Sequence, residues 1–244
     1  MTTFVLVHGA WGGSYGWRSF ANLLRAGGHE VYTPSLTGLG ERSHLGGPNV
    51  NLDTHVTDVE NVFEYEGLSD VVLVGHSYGG MVVTGVAGRI PQLISHLVYS
   101  DAFLPRDGES CFDLGGAGGR DKASIDGWKV ASMGPPLQNP TPEMAKWASL
   151  RSPQPLGTLE QGVRLSVPLE ERAFTRTYMK AIGGSTDDLS RTGHFWDAAR
   201  RVKDDPHWRY YELPCGHGMH RELPNEVRAI LYEVAGLRSE ASVG

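Results

Sequence analysis

Residues 75–79 read Gly75-His76-Ser77-Tyr78-Gly79, a G-x-S-x-G run between an apolar stretch and a stretch that opens with small residues. A serine in that setting sits on a sharp strand-to-helix turn, so its hydroxyl stands clear of the sheet and can attack an acyl carbon. Flanking glycines fit where two elements nearly touch, and the helix N-terminus favours developing negative charge. Ser77 is therefore the expected nucleophile, and a serine that only caps the helix is the plainer alternative. The N–H of Tyr78 is one expected oxyanion donor, an effect worth about 3 kcal/mol per donor.

A serine hydroxyl needs a base. There are ten histidines, and in sheets that carry this turn the base comes last, beyond the final strand. His217 fits, in Pro214-Cys215-Gly216-His217 after a strand-like run, with His220 as second candidate. Cys215, His217 and His220 also have the types and closeness of zinc ligands. A fourth ligand is not evident nearby and a metal would occupy the base, so neither metal nor cofactor is expected. The imidazole needs a carboxylate to fix its tautomer. Asp101 ends Val98-Tyr99-Ser100-Asp101, at the ligand-binding edge of a parallel strand; a cap for the following turn is its structural alternative.

These residues need a frame. Short apolar runs at 4–7, 30–33, 70–74 and Ile94–Ser100 alternate with helical spacing at 17–26, 53–65 and 77–90, the first closed by Gly27-Gly28 and the second capped by Asp53. That alternation predicts an α/β fold with a mostly parallel sheet and helices on both faces. It breaks at Pro105. The proline- and glycine-rich stretch that follows, with a short helix at 142–150, reads as an inserted cap with a lid's role. Strand and helix resume at 174–182, 189–202, Trp208–Leu213 and 224–235. The domain reading is a core of residues 1–104 and 173–244 with a cap of residues 105–172.

Phe4-Val5-Leu6-Val7-His8-Gly9-Ala10-Trp11, Val72-Leu73-Val74-Gly75-His76-Ser77-Tyr78-Gly79-Gly80 and Gly216-His217 together resemble the α/β-hydrolase fold. The nearest branch is the small serine esterases related to plant methyl-salicylate esterases and hydroxynitrile lyases. The resemblance implies about six strands, a second oxyanion N–H at Ala10, and a base seven residues before a proline, the spacing of His217 and Pro224. It also places the acid after the strand that follows the cap, where this chain has Gly184. Asp187 and Asp188, a few residues on, are therefore alternative acids to Asp101, whose strand end carries the acid in certain haloalkane dehalogenases. Trp11, Tyr15, Phe103, Trp128 and Trp147 are candidate pocket residues, with ordinary core packing as the competing reading. Arg42, His44, Asp53 and His55 read as a salt-bridged loop or a pocket rim.

The implied activity is hydrolysis of a carboxylic ester or lactone of a small, largely apolar substrate through an acyl-enzyme. A non-catalytic ligand-binding relative, a lyase and a cofactor-free dioxygenase are the alternatives. Lyases of the plant branch carry threonine where Gly9 stands and lysine where Gly218 stands, so both positions side with an esterase. The 22 basic and 28 acidic residues leave a net charge of −6 with no basic run, which argues against a nucleic-acid partner. No apolar stretch is long enough to span a bilayer, so no membrane is expected. The start MTTFVLVHGA lacks a basic signal-peptide region, and two cysteines make no disulfide framework. A cytoplasmic protein acting on small molecules is expected, with a homodimer left open.

Overall fold

The computed structural model describes residues 1–115, 124–132, 141–183 and 193–237. Six parallel strands form one sheet in the order β2-β1-β3-β4-β7-β8: β1 (Thr3–Val7), β2 (Glu30–Tyr32), β3 (Val71–His76), β4 (Ile94–Ser100), β7 (Thr175–Ala181) and β8 (Trp208–Leu213). Alternate side chains enter two separate cores. Val5, Val7, Leu73 and Tyr99 pack under α2 (Leu52–Glu66), α3 (Gly79–Arg89) and α6 (Gly193–Val202). Phe4, Leu6, Val74 and Val98 pack under α1 (Arg18–Ala26), α7 (Met219–Glu222) and α8 (Pro224–Val234). Burial on both faces explains the unbroken apolar runs, and each fully buried Val, Leu or Phe contributes roughly 1.5–3 kcal/mol.

α2 is capped by Asn51, not Asp53: the Asn51 side chain accepts from Thr54 N–H while Thr54 accepts from Asn51 N–H. Asp53 instead accepts from Gln161 Nε2 at 2.7 Å and pairs with Arg89. Between β4 and β7 lie a small antiparallel pair, β5 (Lys129–Val130) and β6 (Gln154–Pro155), and the helices α4 (Pro142–Ser149) and α5 (Gly157–Glu160).

The chain runs from β1 outward to β2, then returns to β3 on the other side of β1. The reversal falls between β1 and β3, and doubly wound sheets bind ligands beyond the carboxyl ends of the strands at such a point. His8-Gly9 leaves β1 there and Ser77 leaves β3.

Candidate active site

Ser77 follows β3 with a left-handed backbone, φ +56°, before α3 begins. The turn is tight because α3 starts almost on the sheet. A Cβ at Gly79 would lie 2.6 Å from Val7 O, and one at Gly75 would lie 2.7 Å from Gly79 O. Phe103 N–H donates to Ser77 O at 3.1 Å, which ties the turn to the segment after β4.

The loop after β1 presses on the same serine, since a Cβ at Gly9 would come 2.9 Å from Ser77 Cβ and 3.3 Å from Oγ. His8 holds this loop. Its Nε2 accepts from Leu36 N–H at 3.1 Å, so the proton sits on Nδ1 and is donated to Gly9 O at 2.8 Å. Burial lowers the His8 pKa and keeps the ring neutral. Ala10 lies in the turn that follows. Trp11, with φ +60°, donates its N–H to Gln154 Oε1 at 3.0 Å and its indole N–H to Val130 O at 3.1 Å. The turn that carries Ala10 is thus held by the β5–β6 pair.

His217 lies beyond β8, and its Nδ1–H donates to Asp101 Oδ2 at 2.7 Å. Asp101 is fully buried and sits one residue past β4 with φ +43°. Its other oxygen, Oδ1, accepts from Lys180 Nζ at 2.7 Å and from Ala181 N–H at 3.3 Å. Burial alone would raise the Asp101 pKa, but hydrogen bonds and charge from His217 and Lys180 bring it below the ordinary carboxylate value. The His217 loop reaches the Ser77 turn through His76, whose Nε2 lies 2.9 Å from His217 O and whose ring centroid is 4.5 Å from that of His217. Phe195 stacks on the His217 ring, at 4.9 Å between centroids.

His220 does not share this position. It is buried, Nε2 donates to Gly16 O at 3.2 Å, and the ring packs 4.0 Å from that of Trp17. No group of three or more metal-ligating side chains occurs among the described residues. Asp187 and Asp188 lie outside the described residues.

The candidate pocket residues fall in two places. Phe103 stacks on His194 at 4.8 Å and packs against Phe195, which stacks on His217. Tyr15 stacks on Trp147 of α4 at 5.2 Å, joining the loop after β1 to the inserted segment. Trp128 packs near Gly46 in the loop after β2, and Lys129 lies over its ring at 5.0 Å. Of the suggested rim, Arg42 pairs with Asp58 at 3.0 Å, whereas His55 is wholly buried with Nδ1 2.9 Å from Tyr78 Oη. Burial lowers the His55 pKa to about 3. Lys180, Gln154 and His8 were not singled out from sequence. Only His8 carried a signal, standing directly before the glycine that meets the nucleophile.

Three comparisons bear on this geometry. The model of the alpha/beta hydrolase family matches residues 4–230. A carbendazim hydrolyzing esterase of Nocardioides sp. (strain SG-4G) is 39% identical over 243 residues, covering 93% of this chain and 97% of that protein. Methyl jasmonate esterase 1 of Vitis vinifera is 35% identical over 103 residues, covering 42% of this chain and 40% of that protein. Among solved structures, a pyrethroid hydrolase from Sphingobium faniae JZ-2 superposes with a TM-score of 0.74 at 18% identity, covering 98% of this chain and 99% of that one, a likeness of fold.

Proposed function

The chain belongs to the alpha/beta hydrolase family and is a carboxylic ester hydrolase, and from that premise we propose a serine esterase in which Ser77, His217 and Asp101 work as one unit. The observation that carries the reading is the 2.7 Å contact from His217 Nδ1 to a buried carboxylate, in a loop that His76, the residue before Ser77, contacts at 2.9 Å. With Nδ1–H committed to Asp101, Nε2 is the nitrogen that takes the Ser77 proton as Oγ attacks the ester carbonyl. Asp101 stabilises the imidazolium that forms. The N–H groups of Ala10 and Tyr78 hold the oxyanion. His217 then protonates the leaving alcohol, and a water that gives its proton to His217 attacks the acyl-enzyme to release the acid and restore Ser77.

The substrate class is a small, largely apolar ester or lactone. Aromatic rings support this on both sides, with Phe103 and Phe195 by the base and the Tyr15–Trp147 pair by the loop after β1. A reducing, cytoplasmic setting is part of the proposal, since Cys111 and Cys215 are buried free thiols. Two experiments test the reading. A fluorophosphonate should label Ser77 alone, read by mass mapping, and labelling elsewhere or none would overturn the nucleophile. A panel of p-nitrophenyl esters of rising chain length, small lactones and carbendazim should show turnover that Ser77→Ala abolishes.

A further inference from the structure

We propose that Lys180 is a positioning residue of this acid–base pair: its ammonium holds Asp101 turned toward His217 and makes the imidazole a weaker base than an uncompensated carboxylate would. The inference rests on the roles given to Asp101 and His217 above.

Lys180 lies on β7 with its side chain wholly buried, where a lysine is costly unless it is paired. The pairing of Ser100 with Met179 brings the residues after them, Asp101 and Lys180, side by side at the carboxyl ends of neighbouring strands. Asp101 N–H donates to Met179 O at 2.8 Å, which fixes the backbone of the pair. Lys180 Nζ donates to Asp101 Oδ1 at 2.7 Å and to Ala181 O at 2.6 Å, and it lies 4.7 Å from the centroid of the Trp196 ring. Oδ1 is thereby occupied, and Oδ2 is the oxygen presented to His217. The carboxylate is shared between two side chains. When His217 becomes an imidazolium, it shares one negative charge with the Lys180 ammonium, and that like charge opposes its protonation.

Other titratable groups among the described residues face this pair. They are His76 after β3, His194 on α6, His220 and Arg221 on α7, Tyr178 on β7, Tyr210 and Glu212 on β8, and Cys215 in the base loop. Burial keeps the three histidines neutral near pH 7, and it raises the pKa of both tyrosines and the thiol, so these stay uncharged as well. Lys180 is the cation in hydrogen-bond contact with the Asp101 carboxylate.

Three measurements test the proposal. In Lys180→Met the acid limb of the kcat/KM profile should move to higher pH by on the order of one unit. The His217 titration followed by NMR should move with it. Lys180→Arg, which keeps the charge, should hold the limb within a few tenths of its wild-type position. If Lys180→Met does not fold, Lys180→Gln supplies the same loss of charge with a donor retained. In the wild-type protein, nitrogen NMR should find Lys180 as an ammonium throughout the active pH range, and a neutral amine there would overturn the proposal. So would a neutral variant that is slower but leaves both the pH limb and the His217 titration in place, because that is a merely structural loss. The NMR titration needs no turnover. If no ester is cleaved but His217 still shifts, the esterase reading fails and the lysine proposal stands.

Discussion

Asp101→Asn is the most discriminating perturbation of the site, because both carboxylate oxygens are engaged by donors. Oδ2 accepts from His217 Nδ1–H and Oδ1 accepts from the Lys180 ammonium, each at 2.7 Å. An amide offers one acceptor and one donor. With its oxygen toward Lys180, the NH2 group faces Nδ1 and forces the proton onto Nε2, the nitrogen needed as base. With its oxygen toward His217, the NH2 group meets a buried ammonium, donor against donor. The first arrangement costs less, since it leaves the charge solvated by an acceptor. It also removes the tautomer that catalysis uses. The expected loss in kcat is about 10⁴-fold, or roughly 5 kcal/mol of transition-state stabilisation, by analogy with the same change in an unrelated triad. Loss of the buried ion pair should in addition lower folding stability, by about 3 kcal/mol. Burst and steady-state kinetics on an activated ester, with urea unfolding of the same preparation, read the two effects separately. A folded Asp101→Asn protein that keeps a tenth of wild-type kcat would refute the assignment and return Asp187 and Asp188 as the acids to test.

Ser77→Gly should abolish turnover yet raise stability by up to about 1 kcal/mol, since glycine relieves the left-handed backbone at φ +56°; a less stable variant by thermal melting would contradict this. His217→Ala should match the kinetic loss of Ser77→Ala, whereas His220→Ala should show its main effect in stability, about 2 kcal/mol from the void left against Trp17; an inactive but stable His220→Ala would reverse the two roles. Gln154→Leu leaves Trp11 N–H without its acceptor beside Ala10 and should cost about 1–3 kcal/mol in stability and lower kcat more than it raises KM, which steady-state kinetics will check. Two neutral histidines, His55 wholly buried and His194 half-buried, also set an acid sensitivity. His55 has a folded pKa of about 3 and His194 of about 4, against 6.5 when unfolded, so between those limits the unfolded chain binds more protons than the native one. Stability from this source is complete above pH 6.5 and is lost as pH falls, at up to about 1.4 kcal/mol per pH unit for the wholly buried His55 and less for His194, which solvent partly screens. A urea midpoint that stays flat from pH 7 to pH 5 would sink this expectation.

What could be read from sequence follows the range of each interaction. The Ser77 turn was legible because strand, glycines and helix start all lie within a few consecutive residues, and steric contact at Gly79 is a local matter. The position of His217 beyond the last strand was legible from the order of elements. The capping of α2 was misread between two good capping types two residues apart; Thr54, three residues after Asn51, supplied the reciprocal bond that decides it. The β5–β6 pair has two residues per strand, too few for any periodicity, and its grip on Trp11 joins residues 143 positions apart. Lys180 was hidden for a related reason. In a strand next to the sheet's edge, a lysine is ordinarily a solvated side chain. Nothing in Tyr178-Met179-Lys180-Ala181 marks it as buried, because its counter-ion lies 79 positions earlier. Asp101 was recognisable as a carboxylate at a strand end, but its division between an imidazole and an ammonium depends on which strand lies beside β4. That neighbour is β7, which returns only after the inserted segment, so the order of strands decides the chemistry of the carboxylate.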